Sequence, residues 1–173
     1  MKIILETDRL ILRELTSQDA LSFHQLNSSE NVLRFTGDVP FSSVLEAEKF
    51  LINYSDYLQN GFGRWAVILK TSQKFIGWCG LKLHDDDMID LGFRFFEDEW
   101  NKGYATESSL AVIQYGFDVL NIKTIVGRVA PDNKASVQVL TKVGMTFWKQ
   151  DSCNGIENAQ FYHITQTKKA TLR

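Results

Sequence analysis

Residues 99–108 read "EWNKGYATES", and a helical rhythm follows at once in "SLAVIQYGFDVL". The first N–H groups of a helix have no partner inside it, and the helix dipole leaves partial positive charge there. A phosphate or pyrophosphate satisfies both needs. Gly103 permits close approach and unusual dihedrals, and Ala105 keeps the surface shallow. The dipole alone is worth ~0.3–1 kcal/mol, rising to ~2 when partly buried. Tight anion binding would therefore rest on direct N–H···O bonds from the backbone, with Lys102 adding charge. Taken alone, the motif also suits a plain helix start.

Other candidate chemistry is thinner. Asn133 is well placed as the N-cap of a following helix, with Ser136 one turn inside it. Neither G-x-x-x-x-G-K-[ST] nor G-x-G-x-x-G occurs, which disfavours a P-loop ATPase and a dinucleotide-binding fold. No G-x-S-x-G elbow accompanies His24, His84 or His163. Cys79 lies in an apolar run and Cys153 far from it, so neither a metal spacing nor a disulfide is expected. The acidic run at 85–87 reads as a solvated hairpin tip.

Several elements must position these groups. "RLILREL" alternates as a strand, and Thr16 with Asp19 marks a helix start. Ser43 with Glu46 repeats that device before a helix ending at Asn60-Gly61. Residues 64–71, 74–84 and 89–96 read as three strands of a meander. In the third, Gly92 suggests a bulge or a close backbone approach. Leu110, Ile113, Phe117 and Leu120 share one helical face. A strand at 123–130, a helix stopped by Gly144 and a hairpin turning at Asn154-Gly155 complete the order. A meander followed by strand–helix–strand implies an α/β (α+β mixed) fold, a mixed sheet with helices on both faces.

The chain has 173 residues, net charge −2 and 44% hydrophobic residues, and no linker-like tract interrupts it. One domain over residues 1–173 follows. The charge balance argues against nucleic acid as a partner, since a grip on phosphates needs clustered Lys and Arg. No apolar run reaches the ~20 residues that span a bilayer. Acidic and basic residues break the apolar N-terminus too early for a signal peptide. The expectation is a cytoplasmic protein without a membrane partner.

Four stretches together resemble the Gcn5-related N-acetyltransferase (GNAT) superfamily, in the ribosomal-protein-alanine acetyltransferase (RimJ/RimL-like) branch. They are "ETDRLILRELTSQDA", "FIGWCGL", "DLGFRFFEDEWNKGYATES" and "VAPDNKASVQVLTKVGMTF". Nearly the whole chain is covered. The resemblance implies a single-domain, splayed, mostly antiparallel mixed sheet and an acetyl-CoA-dependent transferase acting on a primary amine, with no metal. For this branch it also makes a homodimer possible. In the family a Gln/Arg-x-x-Gly-x-Gly/Ala pattern holds the coenzyme pyrophosphate through main-chain N–H groups. Here that pattern maps onto Trp100, Asn101, Lys102, Gly103, Tyr104 and Ala105, with Trp100 where the broad family has Gln or Arg, and the main-chain grip is expected over Asn101 to Thr106.

The resemblance further implies that the strand "GFRFF" lies along the pantetheine arm. A bulge there would aim an N–H of Phe93, Arg94 or Phe95 at the thioester carbonyl, where it would stabilise an oxyanion. Asn133 would contact the coenzyme and Ser136 would sit near its sulfur. Leu140 stands where many relatives have a Tyr acid, so the acid is Ser136 or is dispensable. Asp90 stands where relatives often have a Glu facing the cleft, and would take the amine proton directly or through water. About one α-amine in seven is neutral at pH 7, against about one Lys amine in 2,500, so an N-terminal acceptor needs less help from a base. A non-catalytic acyl-CoA-binding module is the alternative reading, kept alive by Leu140.

Overall fold

The alternation in "RLILREL" does form a strand, and its neighbours build outward from it. The computed structural model describes residues 2–153 and 155–166. Strands β1 (Ile3–Glu6), β2 (Leu10–Glu14), β3 (Arg64–Leu69), β4 (Phe75–Leu83) and β5 (Ile89–Phe95) run antiparallel in sequence order. Strands β6 (Thr124–Val129), β7 (Thr146–Cys153) and β8 (Ile156–Thr165) continue the same sheet, giving the order β1-β2-β3-β4-β5-β6-β8-β7. Asn154 of the Asn-Gly turn signal lies outside the described residues, but the two strands beside it pair antiparallel.

Only β5 and β6 are parallel, and they share a single registered pair, Asp90 with Val126. Beyond that pair, no further pairing joins the two strands among the described residues. The sheet is therefore splayed there.

Helices cover both faces, and β3 shows how. Trp65 and Val67 enter one apolar cluster with Val112, Ile113 and Leu140. Ala66 and Ile68 enter another with Phe23, Leu26, Ala47 and Leu51. This is the period of two expected of a strand with both faces buried. The first cluster lies under α5 (Tyr104–Asp118) and α6 (Lys134–Lys142). The second lies under α1 (Ala20–Leu26), α2 (Glu30–Leu33) and α3 (Val44–Ile52). A short α4 (Asp56–Asn60) follows α3.

Several expectations need correction. The N-terminal apolar stretch is an edge strand. The helix foreseen up to Asn60 is two helices, although Gly61 does close the second in the left-handed conformation, φ 77°. The expected α5 face holds at Ile113, Phe117 and Leu120 but not at Leu110, which is 48% exposed, while Ser108 and Ser109 are fully buried. The cause is a close approach to the sheet. A Cβ on Gly116 would lie 2.9 Å from Ile125 Cδ1, so small residues rather than large apolar ones face the strands. The acidic tip is not merely solvated either. Asp86 receives Arg128 Nη2 at 2.8 and 3.0 Å, tying the β4–β5 turn to β6.

Candidate active site

The loop before α5 reaches its helix through two left-handed residues, Asn101 (φ 59°) and Gly103 (φ 83°). The helix's first backbone bond is Glu107 N–H to the Gly103 carbonyl, at 3.0 Å. The N–H groups of Gly103, Tyr104, Ala105 and Thr106 thus bond to no described residue, which is the unsatisfied set that anions bind.

The side chains around this turn are committed to holding it. Arg9 Nε and Nη2 both meet Glu107 Oε2 at 2.6 Å, and Arg9 Nη1 donates to the Lys102 carbonyl at 3.0 Å. The same guanidinium covers the Tyr104 ring at 4.5 Å. Burial would raise the Glu107 carboxyl, but bonds from Thr7 and Arg9 pull it below its ordinary value. Lys102 turns its ammonium to Glu99, 2.9 Å away, instead of standing free over the turn. Trp100, the departure from the broad family pattern, donates its indole N–H to the Phe95 carbonyl at 2.9 Å. It therefore fastens the loop to the end of β5.

On β5 the ladder to β4 is unbroken from Gly77↔Phe95 to Leu83↔Ile89, so of the two expectations for Gly92, a bulge or a close backbone approach, the bulge is not there. Gly92 instead admits a side chain. A Cβ on it would lie 2.6 Å from Arg64 Cζ. The Phe96 N–H bonds the Ile76 carbonyl at 3.2 Å. Antiparallel pairing then turns the backbone of Gly92 and Arg94 toward β4, and that of Leu91, Phe93 and Phe95 toward β6. Phe93 N–H consequently aims into the splay without any bulge. Arg94 does not, contrary to expectation. Its side chain pairs with Asp38 at 2.5 Å and also donates to the Asn27 side-chain oxygen.

Across the splay, Asn133 caps α6 by accepting the Ser136 N–H at 3.1 Å. The Ser136 hydroxyl bonds to no described residue. Leu140 is buried at 2% exposure, and a Cβ on Gly127 of β6 would lie 2.8 Å from it. It is a packing residue with no proton to give.

Asp90 receives two partners on one oxygen: Arg64 Nη2 at 2.8 Å and His84 Nε2 at 2.7 Å. Burial would push this carboxyl up, but Arg64 and His84, with Arg128 farther off, hold it below its ordinary value. That environment weakens Asp90 as the proton acceptor the resemblance implied. The tautomer with the proton on His84 Nε2 is the one that can donate to the Asp90 carboxylate. Its Nδ1 bonds to no described residue. The histidine itself was legible at a strand end; its pairing with Asp90 was not, because register is needed to see it. Arg64 is held at the backbone by Tyr54, whose hydroxyl accepts its N–H at 2.8 Å, and by Tyr57, whose hydroxyl donates to its carbonyl.

One cavity of about 470 Å³ joins these parts; His84, Asp90, Phe93, Asn133 and Ser136 all line it. Arg94 also lines it, while Phe95 and residues 101–106 do not. The sequence matches the family described as acetyltransferase (GNAT) domain over residues 9–146. The chain belongs to the GNAT family.

It is 30% identical over 159 residues to an uncharacterized N-acetyltransferase of Bacillus licheniformis, covering 90% of this chain and 88% of that one. An acetyltransferase from Agrobacterium tumefaciens superposes with TM-score 0.79 at 25% identity, covering 94% of both chains. A Vibrio cholerae spermidine N-acetyltransferase, solved with CoA and spermine, gives 0.77 at 22% identity over 94% of this chain and 98% of that one. GNAT enzymes take acetyl-CoA as acetyl donor, and the residues here fit it. Unpartnered N–H groups start α5, and an outward Phe93 N–H and a cavity-lining Ser136 hydroxyl flank the splay. Among the described residues no cluster of three His, Cys, Asp or Glu is placed to hold a metal, and no helix is long and apolar enough to cross a membrane.

Proposed function

We propose that this protein transfers the acetyl group of acetyl-CoA to a primary amine, by direct attack while both substrates are bound. The observation that carries the reading is the parting of β5 from β6 beyond Asp90 and Val126, which turns Phe93 N–H into the gap. When bound, acetyl-CoA supplies an activated thioester carbonyl. The chain's part is orientation and proton handling. Main-chain N–H groups at residues 103–106 hold the pyrophosphate, and Phe93 N–H faces the carbonyl oxygen as negative charge develops there. Asn133, while capping α6, turns its amide edge to the coenzyme.

The amine must lose a proton. In this reading His84 Nδ1 accepts it, and Asp90 keeps the imidazole in the tautomer that leaves Nδ1 free. The departing thiolate has an ordinary pKa near 8.5 and needs little assistance. Ser136, whose hydroxyl lines the cavity at the start of α6, is our candidate to supply a proton, since Leu140 supplies none. Both an N-terminal α-amine, as in the ribosomal-protein branch, and a small-molecule amine remain candidates for the acceptor.

The test is acceptor-dependent release of free CoA thiol from acetyl-CoA, followed with a thiol reagent across an amine panel. Saturable release supports the proposal. Acetyl-CoA binding without release by any amine would replace it with the non-catalytic binding module.

A further inference from the structure

Besides Phe93, the cavity is lined by the rings of Phe23, Phe35, Phe41, Phe50, Tyr54 and Trp78. Four of these rings form one chain: Phe23 lies 5.8 Å from Phe41 and 5.7 Å from Phe50, and Phe50 lies 5.9 Å from Tyr54. Phe50 is nevertheless 44% exposed, so ring surface stands open at the mouth of the cavity.

The charges of the same wall point the same way. Asp38 and Asp90 are the lining carboxylates, and each faces a lining guanidinium, Arg94 and Arg64 respectively. Of the other basic residues lining the cavity, Arg128 is paired with Asp86, His84 shares the Asp90 oxygen and Lys82 adds one more positive charge, so no lining carboxylate is left without a cation. A second ammonium on the acceptor would enter a low-dielectric site without a carboxylate of its own and beside like charges. Cation–π contact does not supply a substitute at Trp78, whose ring already carries Arg64 and Arg94, each 5.3 Å from its centroid.

We infer that the preferred acceptor is a primary amine borne on an uncharged aromatic body, and that polycationic amines are selected against. This rests on the transferase reading above. Burial of a ring against the aromatic wall supplies binding, and the single ammonium loses its charge before attack. A cavity of about 470 Å³ is of a size that holds small molecules or the first residue of a peptide, so the aromatic body can come from either source.

Four acceptors separate the possibilities in the thiol-release assay with the full chain: 2-phenylethylamine, a tetrapeptide with N-terminal Phe, ethylamine and spermidine. The expected result is a kcat/KM for at least one phenyl-bearing amine about tenfold or more above that for spermidine. In Phe50→Ala the ratio of kcat/KM for the preferred phenyl-bearing amine to that for ethylamine falls about fivefold. Retained acetyl-CoA affinity certifies that this variant is folded. Spermidine matching or exceeding both phenyl-bearing amines overturns this inference while leaving the transferase reading intact. So does an unchanged ratio in a folded Phe50→Ala. Release with none of the four, nor with any wider panel of amines, removes the transferase reading and this inference with it.

Discussion

His84 Nε2 sits 2.7 Å from Asp90 Oδ1, and that carboxylate is held below its ordinary pKa in a wall of the cavity. The pair divides labour: the carboxylate orients, the imidazole receives. His84→Gln keeps a polar side chain but removes the basic nitrogen. It should lower the acceptor kcat/KM about 100-fold, the low end for a general base, and leave acetyl-CoA affinity within about twofold. An unchanged rate would show that the proton leaves by another route.

Asp90 also matters to stability. Its ionised form is favoured by the fold, so its stabilisation is fully present above the unfolded carboxyl value near 4 and is lost as pH falls through the lower folded value. Asp90→Asn removes one member of a buried ion pair, which costs about 3 kcal/mol, or about 6–12 °C in Tm for a chain of this size. The loss should be largest near neutral pH and shrink toward pH 3. Thermal melts at several pH values decide this, and a pH-independent loss would assign the effect to packing.

Gly92 is required by its neighbour across the sheet. A Cβ there would lie 2.7 Å from Arg64 Nη1, displacing the guanidinium from Asp90 and from the Gly80 carbonyl, which it meets at 2.6 Å. Gly92→Ala should therefore lower Tm and activity together. In an Arg64→Ala background the added loss should be at least 1 kcal/mol smaller, because the clash has gone. A double-mutant cycle by denaturant unfolding measures the difference, and additive losses would contradict the account.

Much of this was legible beforehand, and the limits are physical. Gly103, Asn133 and the strands around "DLGFRFF" announce themselves by local rules of capping and alternation. Arg64, His84 and Asp90 do not, because they meet only after three strands pair in register. Arg128 and Asp86 are 42 positions apart and are joined by the same kind of long-range geometry. On α5 the expected face held at Ile113, Phe117 and Leu120 and failed at Leu110, because Ser108, Ser109 and Gly116 lie against the sheet where hydrophobic periodicity expects large side chains. Trp100 shows the converse. An atypical residue in the coenzyme motif has a plain local task, holding the Phe95 carbonyl.

The turn at Gly103 separates backbone from side-chain chemistry. Lys102 already shares its ammonium with Glu99, so Lys102→Ala should change acetyl-CoA affinity less than about twofold. Gly103→Val places a β-branched residue at φ 83°, where L-residues are strained by about 1–2 kcal/mol or more, and the N–H groups would turn away. Affinity should fall at least tenfold by calorimetry. Equal losses in the two variants would mean that the lysine charge, not the main chain, grips the pyrophosphate.

Asn133 combines a cap with a predicted coenzyme contact, and the two can be taken apart. Its Oδ1 accepts the Ser136 N–H at 3.1 Å, a bond that a serine hydroxyl can also accept at an N-cap. Asn133→Ser should keep stability within about 0.5 kcal/mol, whereas Asn133→Ala should lose about 1 kcal/mol. Both remove the amide Nδ2, so both should raise the KM for acetyl-CoA alike. Melting temperature then sorts the variants by cap and KM sorts them by amide. If Asn133→Ser kept wild-type KM, the residue would be a cap alone, and Phe93 with the start of α5 would carry the coenzyme without it.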